Sequence, residues 1–477
     1  MKPITHQHVT LLLLAVLLFL SCQKQIQSPA SSRETERIAA GRNNETNGHV
    51  KQTKTFTADV VKKWLRVQTA LLYAPPSSYG INAGRYMAYC GVALYEAVQP
   101  GMPAYQSLYG QLNQMPEMPH TAPGKAYHWP TCANAALAEM TRQLFTFTPA
   151  TGTLVKQLED SLNEVYSNET GNAEIFERSK TFGKAVAAAI ASWAATDHPW
   201  TLWPDFKLTN NGAGMWWPES NPPAPYTVPK GIAYWGETRT IVPGSIDNTI
   251  SSPNAYNETP GSAYYNDMQE VYIVSKHLTY EQKLQAKYYD DPGKRYPAGA
   301  HYFSILKQVI EQLDPSLDKA AQAYAKAGIS LIDGTIGSFK AKFMYATERP
   351  FQFIQRVIGQ TDNAAKTWKS YIPTPAHPDF PSNHAVFSSS FAFALTSIFG
   401  DHIDFTNSTY ASEKEMIDGN EVLLGSRHYH SFYDMAHDIA FSRLYGGIHT
   451  PRACEEGMKQ GLKTAQHVDR IVKFMKE

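Results

Sequence analysis

Cysteine is scarce in this chain. Four occur in 477 residues, at Cys22, Cys90, Cys132 and Cys454. They are too few for a disulfide framework, and their spacing fits no zinc motif. Cys90, Cys132 and Cys454 read as small buried apolar side chains. Charge of one sign is also lacking: Lys+Arg and Asp+Glu are both 43. That balance, with no basic cluster, excludes a nucleic-acid binder held by phosphate neutralisation. Strict period-two alternation long enough to build a sheet is missing, and so is any solenoid-type repeat. Beyond the N-terminus no apolar run is long enough to span a bilayer. At 43% hydrophobic and 18% charged residues, the composition is that of a folded chain.

The N-terminus is different. Lys2 precedes the apolar run Leu11–Leu20, which ends at Ser21-Cys22. This run has the length and flanks of a secretory signal rather than a membrane span. The Leu-Ser-Cys ending resembles a bacterial lipoprotein signal, with bulky Phe19 where smaller aliphatics are usual. It implies lipidation at Cys22 and an exported protein anchored in the cell envelope, periplasmic or at the outer-membrane surface. Residues 1–22 are the signal, and 23–54 form a polar tether without apolar period. Residues 55–262 form an N-terminal helical region ending in a Trp- and Pro-rich crossover over 198–262. Residues 263–477 form a C-terminal helical region.

Apolar spacing predicts helices over 55–74, 83–97, 132–145, 152–166 and 174–196 in the first region. In the second it predicts them over 263–277, 279–289, 300–313, 316–348, 361–371, 384–399, 412–424, 431–446 and 452–476. The class is all-α, built of helical bundles.

Three stretches carry the chemistry. In Lys342–Pro350, Lys342 and Arg349 are seven apart, two turns on one helical face, with Pro350 ending the run. Asp333 and Glu348 are carboxylates that would satisfy such cations structurally. In Pro381-Ser382-Asn383-His384, Ser382 or Asn383 caps a helix whose free N–H groups form an anion site. In Ser442–His449, Arg443 ends a helical run and Gly446-Gly447 breaks it. His449 follows, and Thr450-Pro451 opens the last helix. Each alone has a bland reading as a solvated face, a plain cap and a turn histidine. Together they supply three cations, a hydroxyl, a helix N-terminus and two histidines, the inventory for holding a tetrahedral oxyanion.

The order and spacing of these stretches resemble the superfamily that joins vanadium-dependent haloperoxidases with type 2 phosphatidic acid phosphatases. The softer likeness, over roughly 80–477, is to the soluble bacterial haloperoxidase branch. The resemblance implies an active site in the C-terminal bundle. It implies one His-ligated vanadate per chain, bound by Lys342, Arg349, Ser382, the backbone N–H of Asn383 and Arg443. His449 would ligate the metal and His384 would act as acid–base group, with Lys342 as a polarising cation. Hydrogen peroxide and halide would be the substrates and hypohalous acid the product, with a small organic acceptor beyond. His377 resembles the halide-site histidine of bromoperoxidases, which favours iodide or bromide over chloride. His301 and Tyr302 are further candidates for the pocket.

Two departures stand out. Asn383 replaces a usual glycine, which raises the question of a positive backbone φ. Ala453 replaces the aspartate that supports the histidine nucleophile in the phosphatases, so something else, such as a backbone carbonyl, must set the tautomer of His449; this weakens the phosphatase reading more than the peroxidase one. Two alternatives stay open: an exported acid phosphatase with His449 as phosphoryl acceptor, and a surface-anchored binding protein with a decayed site. Three clustered cations without an anion would be costly, which argues against the last.

Overall fold

The computed structural model describes residues 51–73, 82–197, 203–291 and 295–476. The signal, the lipidation candidate Cys22 and nearly all of the tether lie outside the described residues. Helices α1 (Asp59–Tyr73), α2 (Asn82–Val98), α3 (Trp129–Leu144), α4 (Pro149–Thr170) and α5 (Ala173–Ala194) come first. The crossover carries β1 (Phe206–Leu208) paired antiparallel with β2 (Tyr226–Val228), then the short α6 (Lys230–Ala233). There follow α7 (Ala263–Lys276), α8 (Tyr280–Tyr288), α9 (Ala298–Leu313), α10 (Leu317–Tyr345), α11 (Pro350–Arg356) and α12 (Asn383–Phe399). Next come β3 (Phe405–Asn407), β4 (Lys414–Ile417), β5 (Asn420–Leu423) and β6 (Arg427–Tyr429), in which β3 pairs with β6 and β4 with β5. The last helices are α13 (Phe432–Tyr445) and α14 (Pro451–Ile471). Among the described residues no helix is long and apolar enough to cross a membrane.

The all-α reading holds, with local corrections. The helix expected over 412–424 is the β4–β5 hairpin. Its turn is Asp418-Gly419, both at positive φ (52° and 79°), the pair a tight hairpin turn requires. The helix expected over 361–371 is only a 3-10 turn, Asn363–Thr367. Lys342 and Arg349 do not share one helical face. Helix α10 stops at Tyr345, and Ala346 takes the left-handed C-cap conformation (φ 46°). Arg349 is instead the N-cap of α11, which Pro350 opens rather than ends.

Helix α10 is the axis on which the site hangs. It packs on α2 in the N-terminal half and on α12 and α14 in the C-terminal half. Almost all of its residues from Ala320 to Lys342 are buried, and one apolar core continues through α1, α2, α3, α5, α9, α10 and α12. Small residues of α2 permit a close approach to α10. A Cβ at Gly91 would stand 2.7 Å from the Tyr324 carbonyl oxygen. On the other side, a Cβ at Gly461 of α14 would overlap the Val386 carbonyl of α12. That contact sets the spacing between the two helices that frame the site.

The Trp-rich crossover is a packed structural element. Trp216 and Trp217 are buried with Leu208, Val228 and Ala233, and Trp216 N donates to Ala346 O (2.7 Å) just past the end of α10. Asp333 accepts from the N–H groups of Ile241 (2.6 Å) and Val242 (2.9 Å), fastening the end of the crossover to α10. Glu348 pairs with Arg356 (3.1 Å) and accepts from the Tyr264 hydroxyl (3.2 Å). Neither carboxylate serves Lys342 or Arg349, contrary to the expectation from sequence.

Candidate active site

The C-terminal end of α10, the N-terminus of α12 and the turn between α13 and α14 are stitched together by polar side chains. Lys342, fully buried in the last turn of α10, donates to three carbonyls of one loop: Pro378 (2.8 Å), Asp379 (2.8 Å) and Pro381 (2.5 Å). Its three N–H groups are thereby used, so what Lys342 offers a ligand is charge. Burial and then the neighbouring Arg349 push its pKa well below the usual lysine value, against the pull of Asp379.

Arg349 is the hub. Its Nε donates to His377 O (2.8 Å), Nη1 to Ile448 O (2.7 Å), and Nη2 lies 3.0 Å from His377 Nδ1. Nη1 also lies 3.1 Å from His449 Nε2. Arginine can only donate, so Nε2 of His449 is the lone-pair nitrogen and Nδ1 carries the proton. Nδ1 in turn lies 2.7 Å from Asp379 Oδ1, close but out of line for a hydrogen bond in this geometry. Burial first, then Arg349, Lys342 and Arg443, hold the His449 pKa well below its ordinary value. The ring is neutral, with the Nε2 lone pair facing Arg349.

Asp379 corrects the reading of Ala453. The carboxylate beside His449 comes from the loop before α12, so neither position 453 nor a backbone carbonyl is needed. Ala453 is buried, and its carbonyl accepts from Ser382 N (2.9 Å). Asp379 also stands 3.8 Å from Arg349. Burial raises its pKa to about 6, with Arg349 and Lys342 resisting. Part of the charge of the three cations is thus met within the chain, which weakens the sequence argument that they require an outside anion.

Ser382 is the N-cap of α12, yet its side chain caps nothing. Its Oγ is buried without a hydrogen bond, beside the Cys454 thiol. The first N–H groups of α12 therefore stay free of a side-chain cap. Asn383 is the first helical residue and is not among the positive-φ positions. The glycine-like backbone conformation is not needed there, and its side chain accepts from Ser338 Oγ of α10. Arg443, in the last turn of α13, donates Nη1 to Tyr289 O, and its buried Nε has no partner. Most of its five donors are free.

His384 is the second histidine. Its Nε2 lies 3.0 Å from Asp291 Oδ2, and Asp291 Oδ1 lies 2.8 Å from His301 Nδ1 and 3.0 Å from the Tyr410 hydroxyl. Asp291 can only accept here, so His384 presents Nδ1 as its free base. Burial would raise the pKa of Asp291, but His301 and then His384 hold it well below the usual range. Burial and Arg443 depress His384 to about 4, opposed by Asp291. Tyr302 reaches the same place, donating to His384 O (3.2 Å). His377 is half-buried beside Arg349, with the Phe339 ring edge-on at 5.6 Å.

Every predicted site residue of the three stretches thus lies in one buried cluster. Sequence reasoning missed Asp379 and Asp291 as partners of the histidines. Asp379 stood in plain view between His377 and Pro381. Asp291 had no local signal, because it meets His384 across 93 positions.

A family model described as the VCPO second helical-bundle domain matches residues 322–477. A solved structure described as the first bacterial vanadium-dependent iodoperoxidase is 28% identical, with TM-score 0.74, over 88% of this chain and 98% of that one. The holo-type bacterial vanadium-dependent chloroperoxidase is 17% identical, with TM-score 0.59, over 91% of this chain and 97% of that one. Its apo-type counterpart is 16% identical, with TM-score 0.56, over 84% and 96%. These two show a shared fold. A search among curated proteins gives no match. Residues 322–477 thus match the VCPO second helical-bundle domain, and the chain as a whole is similar in structure to a bacterial vanadium-dependent iodoperoxidase.

Proposed function

We propose that the chain is a vanadate-dependent haloperoxidase that oxidises iodide, and bromide less readily, with hydrogen peroxide to hypohalous acid. The observation that carries the reading is the likeness to an iodoperoxidase over nearly the whole of that chain. The residues fit the cofactor. Ser382 Oγ and Arg443 Nε are buried polar atoms awaiting a partner, and the N-terminus of α12 is not capped by a side chain. These are donors for a compact oxyanion.

In this reading His449 Nε2 would ligate the vanadium, and Arg349, Arg443, Ser382 and the Asn383 N–H would hold its oxygens. Bound vanadate supplies Lewis-acid activation of hydrogen peroxide without a change of oxidation state. His384 Nδ1 would serve as the acid–base group that accepts a proton from hydrogen peroxide, and Asp291 keeps the ring aimed. Lys342 adds positive charge behind the site and fixes the 378–381 loop. His377 and Phe339 form the edge at which halide would approach. The hypohalous acid would then halogenate a small organic acceptor. The N-terminal stretch supports export and lipid anchoring at Cys22. Labelled fatty acid entering the wild-type chain but not Cys22→Ser would bear this out, and equal labelling would sink it.

One observation favours the phosphatase reading. Asp379 beside His449 supplies the carboxylate that a nucleophilic histidine uses, so Ala453 no longer separates the two activities. The decayed-site reading has nothing comparable, because the donor set is intact. The test is the vanadate-free chain, reconstituted with orthovanadate and given peroxide with iodide or bromide. Halide oxidation that needs both vanadate and peroxide is expected. Its absence from a preparation that binds vanadate would sink the proposal.

A further inference from the structure

The β3–β6 pair presents a second, separate constellation. The register sets Phe405 opposite Tyr429 and Thr406 opposite His428, so the next position places Asp404 opposite His430. Side chains alternate across the ladder. Phe405 and Tyr429 therefore face inward, where the Phe405 ring meets Tyr429 at 5.5 Å and Phe432 at 5.2 Å. Asp404, His428 and His430 face out and are exposed. One ligand atom from each of the three lies within 4.8 Å of the others. The His428 and His430 rings stand 5.2 Å apart at 88°. His430 Nδ1 is 2.7 Å from Asp404 Oδ1, and Thr406 Oγ1 is 3.3 Å from His428 Nδ1.

We propose that Asp404, His428 and His430 form a surface site for a borderline divalent transition-metal ion of the zinc type, apart from the buried oxyanion cradle. Two imidazoles with one carboxylate suit Zn²⁺, Cu²⁺ or Ni²⁺. Mg²⁺ and Ca²⁺ prefer oxygen ligands throughout. The ladder holds His428 directly, and Asp404 and His430 follow one residue beyond its last pair, Phe405 and Tyr429. That ladder is locked from behind. Arg427 Nε donates to Asp438 (2.7 Å) and the Tyr429 hydroxyl to the same carboxylate (2.5 Å). His428 therefore sits on a braced strand, and Asp404 and His430 directly adjoin the paired residues. Thr406 orients the His428 ring in the manner of an outer-shell partner. With three protein ligands and full exposure, water would complete the coordination, so the site is open rather than closed around its ion.

The experiment uses the untagged full chain, freed of vanadate. Zn²⁺ is titrated calorimetrically, and Co²⁺ is followed by its visible absorption, for wild type, His428→Ala, His430→Ala and the double variant. Thermal melts without metal accompany each. All three side chains are exposed, so unchanged melting is expected without metal. Wild type should bind one Zn²⁺ at a site that does not take Mg²⁺. Either single variant should weaken it by at least about tenfold, the loss that even outer-shell changes cause. The double variant should lose it while its melting without metal stays at the wild-type value. Zn²⁺ binding by the double variant with wild-type affinity overturns the proposal. So does wild type that binds no Zn²⁺, or that takes Mg²⁺ equally well at this site.

Discussion

Asp379→Asn tests the reasoning about the carboxylate beside His449. The swap keeps shape and removes only the ionisable charge. The folded protein raises the Asp379 pKa from 3.8 to about 6, a difference worth about 3 kcal/mol. The sign follows from linkage. With the folded value above the unfolded one, the contribution to stability is fully present below pH 3.8. It is lost as pH rises through about 6, because the buried carboxylate then ionises at a cost. For the unit Val50–Glu477, unfolding entropy of about 2.1 cal/mol/K per residue gives about 0.9 kcal/mol/K. About 2 kcal/mol of this falls between pH 4.5 and pH 7.5, so the vanadate-free wild type should lose about 2 °C of melting temperature relative to Asp379→Asn over that range. The readout is the difference between two melting curves at each pH, which cancels the other titrating groups. In the reconstituted enzyme the same variant should lose about 10- to 100-fold in halide oxidation, as outer-shell partners of a ligating histidine do. Parallel melting curves with an unchanged rate would refute the assignment.

Other expectations are briefer. Asp291→Asn removes the partner that raises the His384 pKa, so the rate should fall about 10- to 100-fold while vanadate affinity holds; an unchanged rate would remove Asp291 from the account. In the wild type, the acid limb assigned to His384 should lie near pH 4, because the base works only when neutral; a limb near pH 6.5 in wild type and in Asp379→Asn alike would contradict the assigned environment. Gly461→Ala drives a Cβ into the Val386 carbonyl and should destabilise the protein by about 1–3 kcal/mol with weakened vanadate binding, read by melting and titration. Asn383→Gly gives up only the hydrogen bond from Ser338, about 1 kcal/mol. It should leave the rate within a few-fold of wild type, since no positive φ is required at 383.

Much of the site was legible because its residues sit at helix ends. Pro350, Ser382 and Pro451 mark such ends locally, and three local signals in a fixed order identify one cradle. The Lys342–Arg349 pair was not legible. Seven residues apart reads as one face, but the left-handed Ala346 ends α10 between them, and nothing apolar in Tyr345–Glu348 announces the break. The β4–β5 hairpin was readable in Asp418-Gly419 and was outweighed by helix-forming neighbours. Asp291 was beyond reach. Its partners His384 and Tyr410 come from segments 93 and 119 positions away, and a buried acid with no sequence period reveals itself only when the chain is folded. Asp379 lay in a segment already singled out for His377, where the histidine drew the attention and the carboxylate did the supporting.

The central claim is that this cradle takes vanadate as its cofactor rather than phosphate esters as its substrate. The most direct measurement follows both activities in one preparation as orthovanadate is added, in wild type and in His449→Ala. The account predicts that peroxide-dependent iodide oxidation rises with vanadate to a plateau near one equivalent per chain and is lost in His449→Ala. Ester hydrolysis that starts high in the vanadate-free enzyme and falls as vanadate is added, with no halide oxidation appearing, would contradict it.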